Sequence, residues 1–127
     1  PIIVDHCANV PVRDRAPAAR ARDLAVVARC RNVHLKVSGL VEGTGARGHQ
    51  APADPAHYRP WLEVVDRCLG EDRVIFGSNW PVSDLFAPLP TVVGIVREHY
   101  GRAGRRVAAK YFRQNAIRFY GLGDLKA

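Results

Sequence analysis

His6, Lys36, Ser38, Asn79 and Trp80 are the residues of this 127-residue sequence whose types and placement could do chemistry. A neutral imidazole ligates a metal, polarises a carbonyl or moves a proton. An ammonium attracts negative charge developing in a reaction. A hydroxyl and an amide orient groups by hydrogen bonds, and an indole forms the wall of a pocket. Each side chain also has a plain structural reading. His6 fits a hydrogen-bonded structural role, Lys36 fits a stem that reaches solvent, and Asn79 fits the cap of the next turn. What favours chemistry is position: each follows an apolar run.

Those runs are "PIIVDH" (1–6), "NVHLKVSGL" (32–40) and "RVIFGSN" (73–79). Each is rich in Val, Ile, Leu or Phe and ends in polar residues or Gly, which predicts buried strands. Side chains alternate along a strand. On that rule Lys36 and Ser38 lie opposite Leu35 and Val37, Asn79 lies opposite Phe76, and His6 lies opposite Asp5. If the apolar set packs on helices, His6, Lys36, Ser38 and Asn79 share one mouth, with space left beneath Asn79 by Gly77.

Helical patterns separate the strands. They run from about 16 to 30, from 55 to 69 with Gly70 as a stop, from 89 to 101 with Pro90 in the first turn, and from 105 to 122. Strand–helix alternation predicts an α/β fold with a parallel sheet. The Gly-rich stretch 41–53, "VEGTGARGHQAPA", follows the second strand, at the sheet end where such folds place function. Neither a GxGxxG nor a P-loop pattern is present.

Composition narrows the classes. The length fits one domain, and 47% hydrophobic residues provide a core. No apolar run approaches the ~18 residues of a membrane span, and no leader pattern opens the sequence. The sequence lacks Met, which leads us to expect a piece of a longer chain. The net charge of +7 comes from 19 Lys and Arg against 12 acids. The basic residues are scattered, and "GRAGRR" (101–106) has no interleaved aromatics, so we expect a solvated surface and no nucleic-acid partner. Cys7, Cys30 and Cys68 show no metal or disulfide spacing, so we expect mostly buried, reduced thiols and a cytoplasmic location.

The ordered motifs "IIVDHCANVP", "NVHLKVSGL", "DRVIFGSNWPVS" and "YFRQNAIRFYGL" resemble the carboxyl-terminal part of the amidohydrolase-related family (amidohydrolase family 2). These are TIM-barrel hydrolases of the fuconolactonase and rhamnonolactonase type. The matching elements are Asp5-His6, Lys36-Val37-Ser38-Gly39, Phe76-Gly77-Ser78-Asn79-Trp80-Pro81, and Asn115-Ala116 with Tyr120. The resemblance implies that residues 1–127 are the last three βα units of a (β/α)8 barrel plus a carboxyl-terminal helix. It implies hydrolysis of a lactone or similar carbonyl substrate by activated water. His6 inherits a metal-binding or carbonyl-polarising role. Asn79 takes the place of a catalytic Asp, and Lys36, Ser38 and Trp80 bind substrate. The implied cofactor is either one divalent ion such as zinc or none. The partners are a small-molecule substrate, no nucleic acid and no membrane, with self-association or pairing with the missing barrel half.

Two departures from the family pattern matter. Asn79 is an amide where a general base is expected, with Asp84 a nearby carboxylate that could substitute. The His-x-His pair of the family's first strand is absent. Both favour the alternative of a non-catalytic binding domain or pseudoenzyme.

Overall fold

The computed structural model describes residues 1–12 and 18–123. The elements are β1 (Ile2–Val4), α1 (Ala18–Val27), β2 (Val33–Val37), α2 (Arg59–Leu69), β3 (Val74–Phe76), α3 (Leu89–Arg102), α4 (Arg105–Ala109) and α5 (Asn115–Tyr120). Short 3-10 turns follow the three strands at His6–Asn9, Glu42–Thr44 and Val82–Leu85. The sheet has the order β1-β2-β3 and both pairings are parallel. Parallel neighbours need crossover connections, which contain α1 and α2. The predicted α/β class therefore stands. The strands are shorter than the apolar runs, because the polar residues at each end already belong to the turns. The start of the predicted first helix, at 16–17, lies outside the described residues.

Register explains the core. Val4 pairs with Leu35, Leu35 with Val74, and Val37 with Phe76, so these side chains share one face of the sheet. Leu35, Val37 and Val74 are buried there with Trp61, Leu62 and Val65 of α2 and Ile95 and Val96 of α3. Each such side chain contributes about 1.5–3 kcal/mol by leaving water. α2 ends at Gly70, whose φ of 68° is left-handed and whose N–H bonds the Asp66 carbonyl at 2.8 Å. α1 buries only Leu24, and α4 buries no side chain, so these two helices are the least anchored. Cys7 is buried, but Cys30 is exposed, in the turn after α1, and Cys68 is half-buried; all three are free thiols. The expectation of mostly buried thiols thus holds for one of them.

The carboxyl-terminal pattern is not one continuous helix. A wide π-helical turn, Lys110–Gln114, separates α4 from α5. Tyr111 in that turn is buried and stacks on Tyr100, with ring centroids 3.6 Å apart. Asn115 is 1% exposed and donates to the carbonyls of Glu71 and Val74, both at 2.8 Å. This ties α5 to the start of β3. At the far end of α5, Phe119 meets the His34 ring at 4.8 Å. The Tyr120 ring lies 6.0 Å from Lys36 Nζ. His34 and Lys36 alternate with Leu35 and so belong to the face turned away from α2. The chain's own end thus covers part of the sheet face that the sequence leaves unaccounted for.

Candidate active site

The turns after the strands build the site. His6, Cys7, Ala8 and Asn9 all have φ between 50° and 58°, in the left-handed region. Non-glycine residues adopt it only under constraint. Burial of Cys7, to 1% exposure, and the 3.0 Å bond from Ala8 N–H to the Asp5 carbonyl supply that constraint. Strand alternation therefore does not govern His6, because β1 stops at Val4. Asp5, not His6, joins Lys36, with its Oδ1 2.8 Å from the ammonium. The left-handed turn instead carries His6 to Ser38.

The hydrogen bonds fix the His6 ring. His6 Nδ1 lies 3.0 Å from Ser38 Oγ, and the His6 backbone N–H donates to the same oxygen at 3.3 Å. An oxygen that accepts this N–H can turn its own proton toward Nδ1. With the hydroxyl proton so turned, the ring proton lies on Nε2, facing away from Ser38. Gly39 backs the ring: with φ +64°, it has no room for a side chain beside the His6 Cβ.

A second pair lies opposite. Asn79, also left-handed at φ 58°, donates from Nδ2 to Glu42 Oε1 at 2.8 Å. Glu42 Oε2 is buried without a hydrogen-bond partner among the described residues. The Glu42 turn is clamped on both sides. Val12 N–H bonds the Gly43 carbonyl at 2.8 Å, and Thr44 Oγ donates to the Val41 carbonyl at 2.6 Å. A side chain at position 43 would meet the Val10 carbonyl at 2.7 Å, so the Glu42 turn and the segment after His6 pack backbone to backbone. His6, Gly39, Glu42, Arg47, Asn79 and Phe86 are among the residues lining an open cleft of about 610 Å³.

The remaining sequence candidates are placed differently. Ser38 is buried behind His6. Lys36 is engaged by Asp5, whose hydrogen bond raises the ammonium pKa and keeps it charged; it is not part of the cleft lining. Trp80 is 61% exposed and also outside that lining. Gly77 makes room for Lys36 and Ser38, whose Cδ and Cβ would lie 2.9 and 3.1 Å from an added Cβ. Asp84 sits 3.8 Å from His49, not in the cleft beside His6. Glu42 and Arg47 went unnoticed in the sequence, although their loop was marked. An acid in a Gly-rich loop that follows a strand was the available signal.

The cleft offers His6 and Glu42 as donors of the types that bind transition metals. Catalytic zinc takes three protein ligands and a water. Among the described residues no three His, Cys, Asp or Glu side chains converge, so the described donors do not fit a complete zinc site. Among the same residues no helix is long and apolar enough to cross a membrane.

Comparison with known proteins gives a consistent picture. The Amidohydrolase family model matches residues 1–122. An L-fucono-1,5-lactonase of Burkholderia ambifaria is 33% identical over 84 residues, covering 66% of this chain and 27% of that protein. An L-fucono-1,5-lactonase of Burkholderia multivorans is 34% identical over 101 residues, covering 75% of this chain and 34% of that one. Crystal structures of an amidohydrolase from Burkholderia multivorans, one with bound HEPES and one with bound zinc, superpose with TM-scores of 0.83 at 26% and 27% identity. The match covers 94% of this chain and 44% and 43% of those chains. The chain thus spans about a third or less of the length of the curated relatives it matches.

Proposed function

The chain belongs to the amidohydrolase family, and from that premise we propose that it carries the carboxyl-terminal half of the active site of a lactone hydrolase. The three strands would be consecutive strands of a (β/α)8 barrel. β1 and β3 each have a single neighbour among the described residues, so their outer edges are where the other strands would pair. An isolated chain would cover those edges by self-association.

One observation carries the reading: His6, held by Ser38, and the hydrogen-bonded pair Asn79–Glu42 line one cleft at the carboxyl ends of parallel strands. Active sites of βα barrels occupy that end. The His6 Nε2–H would donate to the ring carbonyl oxygen of a cyclic ester. That donation stabilises the oxyanion formed when water adds. Arg47, which also lines the cleft, would face the polar periphery of a small, hydroxyl-bearing substrate. A zinc ion would need ligands beyond those described here.

The amide at position 79 favours the second reading, a binding domain without turnover. That reading predicts saturable binding of sugar lactones and no hydrolysis. The deciding experiment assays the full-length gene product on a panel of aldonolactones, following acid release, with His6→Ala beside the wild type. Hydrolysis in the wild type and its loss in the variant support the enzyme. Binding without acid release overturns it.

A further inference from the structure

We infer that Glu42 is the base that takes the proton from the attacking water, with Asn79 as its positioning residue; this rests on the lactone-hydrolase reading. The sequence places an amide where a carboxylate would serve, and an amide does not accept a proton near neutral pH. The structure brings a carboxylate to that amide. Asn79 Nδ2 donates to Glu42 Oε1 at 2.8 Å, and Glu42 lines the same cleft as His6. An ionised carboxylate offers about four acceptor positions, and the Asn79 amide fills one. Oε2 is buried and has no hydrogen-bond partner among the described residues, so the group retains acceptor capacity that no structural bond uses. Its backbone is held by the contacts of Gly43 and Thr44, which gives the fixed geometry a base requires.

The step balances without another reactant. Water oxygen bonds the ring carbonyl carbon while its proton passes to the Glu42 carboxylate. The carbonyl π pair moves to oxygen, opposite the His6 Nε2–H. Collapse re-forms the carbonyl and breaks the ring carbon–oxygen bond. Glu42 returns the proton to the departing alkoxide, and the product is a hydroxy acid.

The test compares wild type, Glu42→Gln, Glu42→Ala and Asn79→Ala in the full-length gene product, with thermal melts to confirm folding. Glu42→Gln should lower kcat by at least about 100-fold, as loss of a general base does, with KM within about threefold. Added formate should restore Glu42→Ala activity at least tenfold and leave wild type unchanged, which loss of a merely structural carboxylate would not allow. Asn79→Ala should lower kcat in the wild type and have no further effect in Glu42→Gln, the coupling expected of a pair acting as a unit. A Glu42→Gln enzyme that keeps more than about a third of wild-type kcat overturns the role of Glu42 and leaves the hydrolase reading standing. A folded wild type that turns over no lactone overturns both.

Discussion

A Cβ added at Gly39 would lie 2.9 Å from the His6 Cβ, closer than real side chains approach. Gly39 also sits at φ +64°, so strain and collision act together. Gly39→Ala should destabilise the protein by about 2 kcal/mol or more and displace the His6 ring. Gly77→Ala should cost less, because its closest clash is with Lys36 Cδ, part of a flexible stem. Chemical denaturation of both variants checks the order. A milder Gly39→Ala would sink the argument.

Ser38 is buried and its hydroxyl serves both the His6 ring and the His6 backbone N–H. Ser38→Ala should cost about 1 kcal/mol in stability, since a half-buried N–H loses its acceptor. It should also free the imidazole to rotate and switch tautomer. The His6 ring resonances in a nitrogen-15 NMR spectrum should then shift from a single Nε2-protonated form toward a tautomer mixture. An unchanged spectrum would mean that Ser38 does not set the ring.

Asn79→Asp would set a second carboxylate at hydrogen-bond distance from Glu42, where the amide now donates at 2.8 Å. Two carboxylates so placed cannot both ionise without cost. The folded pair would hold a proton above its unfolded value, so stability is retained at low pH and lost as pH rises. The variant should melt close to wild type near about pH 5 and clearly below it near about pH 8. Melting curves at both pH values check the sign.

The fold class was legible because apolar runs and helical stripes alternate, and register then follows from which face each run buries. The candidate cleft was legible only in part. His6 and Asn79 stood out by residue type. Their orientation did not, because left-handed turns cancel the alternation rule at both positions. Glu42 was hidden for another reason: its partner lies 37 residues away, and no local pattern records such a contact. Lys36 stood out by type as well, but its ion pair with Asp5, one residue past β1, was not legible. The break between α4 and α5 follows a packing demand of Tyr111 and Asn115 that helical periodicity does not encode.

Glu71 gives a pH signature that is independent of the cleft. Hydrogen bonds from Arg106 and from Lys110, the latter at 2.7 Å, lower its pKa from 4.5 to about 2. A folded-state pKa below the unfolded value means that the carboxylate stabilises the fold when ionised. That contribution is complete above the unfolded value and disappears as pH falls through the folded value. Glu71→Gln should therefore melt below wild type near about pH 7 and match it near about pH 2. The partners are solvent-accessible, so roughly 1 M salt should shrink the difference at neutral pH. The Glu71 backbone carbonyl that accepts from Asn115 remains in the variant, so the comparison isolates the side chain. Asn115→Leu removes both carbonyl contacts at once and should cost about 2–3 kcal/mol at every pH, because one buried and one half-buried acceptor lose their donor. A pH-dependent deficit in Asn115→Leu, or a pH-independent one in Glu71→Gln, would reverse these assignments.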